Sequence, residues 1–233
     1  DIEHMLNEAA IITAKANRKE ITAHDIEEAA TKVAVGPEKK RKREDYELKL
    51  TAYHEAGHAI VAKLSPQSDP VHRITIVSRG MSLGSTMQLP QNDKLQQTKT
   101  ELDSRLKVLL AGRAAEELIF KDITGGASND IEKATSIARK MVKVLGMSEK
   151  LGLVKYGESN ELQYLGYGYG EQKDYSEETA QMIDDEVRDI LDKAYKDAKK
   201  LLSDNIQILH DLSNLLLKQE VVEGEEFEKL FEK

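Results

Sequence analysis

"TAYHEAGHAIVAKL", residues 51–64, is the segment from which the architecture of this chain can be worked out. Its apolar residues recur at intervals of three and four, which predicts an amphipathic helix over about residues 46–64, ended by Pro66. The apolar stripe of this helix consists of Leu50, Tyr53, Gly57, Ile60, Val61 and Leu64. His54 and His58 lie on the flank of the stripe, as expected for a cleft at the edge of a core.

The spacing of the two histidines favours a shared metal ion. Residues four apart on a helix lie one turn apart and about 40° apart around its axis, so His54 and His58 can both reach one ion. Glu55 projects about 100° away from His54, beside the ion, where it can take a proton from a water molecule. Imidazoles with a carboxylate favour zinc in an open tetrahedral site. The alternative is two half-exposed histidines and an ordinary surface glutamate.

The residue types alone leave the third ligand open. The metzincin extension would need Gly and His where this chain has Val61 and Leu64, so that class is excluded. Glu116 and Glu117, in "AGRAAEELIF", are candidate ligands on a later helix. Asp130, in "GGASNDIEKA", is a third candidate, although an acid at a helix N-terminus is also stabilised by the helix dipole.

Composition excludes several other classes of protein. The chain has 233 residues and no Cys, which excludes disulfides, thiolate zinc sites and cysteine nucleophiles. Its net charge of -8 argues against nucleic-acid binding. No apolar run approaches the roughly 18–20 residues that span a membrane, so we expect these residues alone to be soluble. No phosphate-binding G-x-x-x-x-G-K-[ST] motif occurs, which predicts no ATP site. The start at Asp1, within a helical pattern, suggests a fragment.

The remaining pattern predicts a mainly α protein with one small β element. Short helices over residues 1–35 end at Gly36-Pro37. The basic run 39–43 is interpreted as a charged linker rather than a nucleic-acid or lipid contact. Gly57 is interpreted as room for the close approach of another segment. The other predicted elements are strands at 71–77 and within "STMQL", helices at Thr100–Phe120, Ile131–Leu145, Ser176–Leu202, Ile206–Leu217 and Glu225–Leu230, and a mobile loop at 164–170.

Several separate motifs resemble one known family in order and spacing. "TAYHEAGHAIVAKL", "RGMSLGSTMQLP", "LLAGRAAEELIF", "ITGGASNDIEKATSIARKMV" and "GMSEKLG" resemble the peptidase domain of the FtsH family. These are membrane-anchored, ATP-dependent zinc metalloproteases of the AAA class. The resemblance implies a helical zinc-peptidase domain at 49–233 with a small β element beside the active-site helix. It implies the end of an AAA small (lid) domain at 1–37 and a charged linker at 38–48.

The resemblance also implies roles for single residues. It makes Asp130 the third zinc ligand, together with His54 and His58, and Glu55 the general base. A substrate strand would add beside the cleft, next to the predicted strands. Ser78 stands where Pro is common in the family, which is a minor departure.

The family further implies a setting for the whole protein. Its members form homohexamers that use ATP to degrade unfolded and membrane proteins, anchored in the cell's inner (plasma) membrane with the peptidase domain on the cytoplasmic side. The motor and the anchor are missing from these residues, so the membrane association would come from a segment absent here. The alternative function is a helical interaction or oligomerisation module with an incidental histidine pair, or a structural zinc site.

Overall fold

The computed structural model describes residues 2–38, 43–80, 82–90, 96–157 and 175–232. The helices are α1 (Ile2–Lys15), α2 (Ala23–Val35), α3 (Asp45–Leu64), α4 (Lys99–Phe120), α5 (Ser128–Lys143), α6 (Glu177–Asp204), α7 (Ile206–Gln219) and α8 (Gly224–Glu228). The strands are β1 (Val71–Thr75), β2 (Ser85–Gln88) and β3 (Val221–Glu223), and 3₁₀ turns occupy Gly125–Ala127 and Lys229–Phe231. The predicted class, mainly α with a small β element, is confirmed. The loop predicted at 164–170 lies outside the described residues.

The sheet is antiparallel, with the strand order β2-β1-β3. Ile74 in the central strand pairs with Thr86 of β2 on one side and with Val222 of β3 on the other. Strand β1 ends at Thr75, two residues earlier than predicted, because the Val77 amide turns back to donate to the Thr75 hydroxyl. The three-residue strand β3 was not predicted from the sequence.

Helix α3 lies at the centre of the larger of two hydrophobic cores. It packs against α4, α7 and the inner face of the sheet, and its residues Ala56, Ala59, Ile60 and Val61 are fully buried. A second core joins α4 to α5 and α6. Because α4 contributes to both cores, it fixes the position of α5 relative to α3.

Gly57 provides the close approach that its place in the apolar stripe suggested. A Cβ atom at Gly57 would lie 2.7 Å from the Ala111 carbonyl oxygen and 2.8 Å from the Ala115 Cβ on α4. Both distances are shorter than van der Waals contact. The backbone of α3 therefore lies directly against the backbone and the Ala115 methyl group of α4 at this point.

Side-chain caps account for the starts of α4 and α6. Thr98 and Glu101 form a capping box at the start of α4, so the predicted cap at Thr100 was two residues late. Ser176 caps α6, as predicted, by accepting the Thr179 amide. Helix α5 begins three residues earlier than predicted, which places Asp130 inside its first turn.

The α1–α2 pair is attached to the sheet through a buried arginine. Arg73, on β1, is 5% exposed and forms ion pairs with Glu27 and Glu28 of α2 at 2.9 and 3.2 Å. Its guanidinium also contacts Glu223 of β3 at 2.7 Å. A buried cation has to be compensated in this way, because removing it from water is costly.

Among the residues that the structure describes, no helix combines the length and the apolar character needed to cross a membrane.

We expect Gly57→Ala to destabilise the protein, although alanine favours helix formation. The added methyl group has to push α4 away, and overpacking should outweigh the gain in helix propensity, for a net loss of about 1–2 kcal/mol. Urea unfolding followed by circular dichroism measures the difference. The matched control is Gly125→Ala, since a Cβ there meets nothing within 4 Å. Equal stability of Gly57→Ala and wild type would contradict the tight contact.

Candidate metal centre

Three side chains from two helices converge on one point in the fold. The Nε2 atoms of His54 and His58, on successive turns of α3, are 3.0 Å apart. Each lies 3.4 Å from Oδ2 of Asp130, in the first turn of α5. Ligand atoms about 2.0–2.2 Å from a tetrahedral zinc ion lie roughly 3.3–3.6 Å from one another. The two distances to Asp130 fall within this range and the 3.0 Å between the imidazole nitrogens is slightly shorter, so the three atoms can converge on one zinc ion.

Hydrogen bonds on the far side of each imidazole orient the ligand nitrogens. His54 Nδ1 lies 2.7 Å from Glu116 Oε1, and His58 Nδ1 lies 2.7 Å from the Val108 carbonyl oxygen. Both acceptors are satisfied when the proton is on Nδ1, which leaves the lone pairs of both Nε2 atoms facing Asp130. Glu116 is itself held in place, because its Oε2 accepts the Thr124 amide and hydroxyl at 3.1 and 3.0 Å.

Charges at the centre are strongly coupled. Burial opposes protonation of His54, but hydrogen bonds to Asp130 and Glu116 outweigh it and raise the pKa of His54 to about 10. Burial would raise the pKa of Asp130 and of Glu116. The neighbouring imidazoles, with Thr124 in the case of Glu116, nevertheless hold both pKa values below their ordinary range. This anionic surrounding is suited to a cation, and a metal that binds Nε2 of His54 must displace the proton there.

Glu55 lies beside the three converging groups, on α3, and is not among them. Its side chain is buried, and burial raises the pKa of the carboxyl against the opposing effect of His58 and His54. Thr86, on β2, donates a hydrogen bond to Glu55 Oε2 at 2.8 Å. The carboxyl group is thus placed to exchange a proton within the cleft rather than with bulk water.

The cleft has a volume of about 890 Å³ and is bounded by α3, α4, β2 and the start of α5. The backbone of α4 forms its floor at Gly112. A Cβ there would lie 2.6 Å from Nε2 of His54 and 2.6 Å from Nε2 of His58. Any side chain at this position would occupy the space of the two imidazole rings, so this arrangement requires glycine for steric reasons.

The structure separates the three candidates for the third ligand. Asp130 faces both Nε2 atoms, whereas Glu116 contacts the opposite nitrogen of His54. Glu117 points away from the site and accepts a hydrogen bond from Tyr195. Metal ligation by His54, His58 and Asp130, and the basic role of Glu55, stay predictions at this point.

Sequence reasoning missed several residues that shape the site. The contacts of Thr86, Thr124 and Gly112 depend on pairings that no local pattern reveals. For Gly112 one signal was present, because the small residues of "AGRAA" are what a helix needs where it meets Gly57 at close range.

Comparison with known proteins adds independent evidence. Residues 41–230 match the model of peptidase family M41. The chain is 49% identical over 232 residues to "ATP-dependent zinc metalloprotease FtsH 1" of Thermoanaerobacter sp. and 46% identical over 233 residues to the protein of that name from Thermomicrobium roseum. It is 48% identical over 232 residues to "ATP-dependent zinc metalloprotease FtsH 2" of Alkaliphilus metalliredigens. These alignments cover 99–100% of this chain, but only 38%, 36% and 34% of the relatives.

The fold and the site therefore define a helical metallopeptidase domain. The chain belongs to peptidase family M41. This confirms the resemblance to the FtsH family, the predicted fold class and the predicted class of zinc-dependent hydrolase, and it does not favour the interaction-module alternative. The chain spans about a third of the length of the relatives it matches.

We expect Glu116→Gln to weaken zinc binding without removing a ligand. The neutral amide oxygen can still accept the hydrogen bond from His54 Nδ1, but the charge that makes the imidazole a stronger metal ligand is lost, so the zinc affinity should fall about 10–100-fold. Competition with a chromophoric chelator measures it. Glu117→Gln is the matched control, since Glu117 pairs with Tyr195 and Lys199 instead. Equal zinc affinities of the two variants would contradict the role given to Glu116.

Proposed function

We propose that this chain is the peptide-bond-hydrolysing part of a zinc metalloendopeptidase, with His54, His58 and Asp130 as the metal ligands and Glu55 as the general base. The observation that carries this proposal is the convergence of the three ligand atoms, each within 3.4 Å of the next, beside a buried carboxyl group in an open cleft. The chemistry of this donor set is that of a catalytic zinc site.

The proposed mechanism assigns a separate task to each group. A zinc ion held by the three ligands supplies Lewis-acid activation of water and of the scissile carbonyl. Glu55 accepts a proton from the attacking water and then donates it to the leaving amine. The carboxyl group has to be ionised in one half of the cycle and protonated in the other. Glu116 and the Val108 carbonyl keep the imidazoles oriented throughout.

The proposed substrates are polypeptide segments in extended conformation. Strand β2 lies at the edge of the sheet in the part of the chain that the structure describes, and it lines the cleft next to Glu55. Main-chain groups of such an edge can pair with an added strand. Backbone pairing selects little sequence, which suits the degradation of unfolded and membrane proteins that the family resemblance implied.

The assembly and location are proposed from the same resemblance. We propose a homohexamer in which residues 1–37 end an AAA lid domain, 38–48 form a linker and 49–233 the peptidase. ATP-dependent action is supported by the names of the relatives, about two thirds of whose length lies outside the aligned chain. An anchor in the inner (plasma) membrane, outside these residues, would leave the peptidase domain on the cytoplasmic side.

We expect Glu55→Gln to retain zinc and fold but to lose cleavage, because the amide cannot accept the proton of the attacking water. The rate should fall about 10²–10⁴-fold. Hydrolysis of fluorescein-labelled casein, with zinc content measured on the same sample, tests this. Cleavage at the wild-type rate by the Gln variant would refute the assignment of the base.

We expect Asp130→Ala to lose zinc, because this substitution removes a direct ligand. Its zinc affinity should fall by more than the roughly 10–100-fold expected for Glu116→Gln. Elemental analysis after dialysis measures the zinc content. Asp122→Ala is the control, since Asp122 caps the exposed turn at the Ile123 amide. A full complement of zinc in the Asp130 variant would move the third ligand elsewhere. A wild-type chain without stoichiometric zinc would instead support an interaction module.

A further inference from the structure

The hydroxyl group of Thr86 lies against Glu55 in a way that the proposed reaction has not yet used. Thr86 Oγ1 is 2.8 Å from Glu55 Oε2 and 3.0 Å from the Glu55 main-chain oxygen. Inside helix α3 that carbonyl already accepts the amide four residues later. The single hydroxyl proton of Thr86 is therefore donated to the carboxylate, where the hydrogen bond offsets the cost of desolvation.

A second contact restrains the other oxygen of the same carboxylate. A Cβ at Gly84, just before β2, would lie 2.8 Å from Glu55 Oε1 and 2.9 Å from its Cγ. The backbone at Gly84 thus closes one side of the space that the Glu55 side chain occupies, and Thr86 closes the other. A glutamate has three side-chain torsions, and these two contacts select one arrangement of them.

The strand that makes these contacts is itself fixed. Thr86 pairs with Ile74 and Ser85 with Thr75, so β2 is hydrogen-bonded to the central strand of the sheet, and Ile74 is fully buried in the main core. A threonine on such a strand has a restricted χ1 angle, because its branched Cβ limits rotation. The donor is consequently pre-organised before any substrate arrives.

We propose that Thr86 is a positioning residue for the reaction, which holds the carboxylate of Glu55 in the orientation needed for proton transfer. This inference rests on the proposed function of Glu55. Strand β2 then has two functions. Its backbone pairs with the substrate, and the Thr86 side chain orients the Glu55 carboxylate. Removal of the hydroxyl should leave substrate pairing intact and impair the chemical step, because proton transfer depends steeply on geometry.

Three variants test this inference in the full chain. Thr86→Val removes the hydroxyl and keeps the branched side chain, and Thr86→Ser keeps the hydroxyl. Thr75→Val removes a hydroxyl from the neighbouring strand that donates to the Glu220 carbonyl and accepts from the Val77 amide instead. With zinc content and melting temperature measured alongside, Thr86→Val should lower kcat for a fluorogenic peptide about 10–100-fold with KM unchanged. Thr86→Ser should restore most of kcat, and Thr75→Val should keep it.

A crystallographic measurement does not depend on activity. The Glu55 side chain should occupy one conformation in wild-type and Thr86→Ser crystals and several in Thr86→Val crystals, whether or not zinc is bound. An unchanged kcat, or a single unchanged Glu55 conformer in Thr86→Val, would overturn the inference. So would a loss of kcat that accompanies lost zinc or unfolding and that Thr86→Ser fails to restore. A wild-type chain without zinc-dependent cleavage would count against the proposed function instead, while the crystals would still decide the role of Thr86.

Discussion

Helices α3 and α4 approach so closely that each has a glycine where they meet. Gly57 faces the α4 backbone, and Gly112 faces the two imidazoles on α3. Because the helix axes are this near, the Val108 carbonyl and the Glu116 carboxylate reach the Nδ1 atoms of the histidines on the neighbouring helix. A separation larger by one methyl group would lengthen both hydrogen bonds beyond useful range, since hydrogen bonds weaken steeply with distance and angle. Close packing thus fixes the orientation of both candidate metal ligands.

The same helix also places Asp130, the proposed third ligand. Helix α4 packs on α3 with one side and on α5 and α6 with another, so its position relates Asp130 to the histidine pair. Glu116 links the same two helices. One oxygen of its carboxylate bonds His54 on α3, and the other bonds Thr124, in the segment that leads into α5. Apolar packing away from the site, together with the buried carboxylate of Glu116, therefore sets the distances among the three proposed ligand atoms. Such support is what allows a metal site to keep its geometry.

Local pattern was enough to predict the parts of this arrangement that lie within one helix. The spacing of His54 and His58, the place of Glu55 beside that pair and the close approach at Gly57 all follow from the 3.6-residue period. The third ligand is more than 70 residues away along the chain, and the choice of Asp130 over the two glutamates rested on family resemblance alone. Strand β3 and the role of Thr86 were missed, because both depend on pairing with β1, which brings distant segments together. A strand of three residues has too short a pattern for its period to be recognised.

Composition predicts a domain boundary in the charged segment near residue 38, but ion pairs connect the residues on the two sides of this boundary. The buried guanidinium of Arg73 is compensated by Glu27 and Glu28 of α2 together with Glu223 of β3, so its desolvation cost is offset from both sides of that boundary. Glu28 also pairs with Arg79, at the start of the loop that leads through Gly84 into β2. A displacement of α2 from the sheet would therefore leave the buried cation with only Glu223 among these carboxylates and pull on the strand that contacts Glu55. The N-terminal helix pair and the candidate site lie on opposite sides of the predicted boundary, but ion pairs of Glu27 and Glu28 with Arg73 and Arg79 join them.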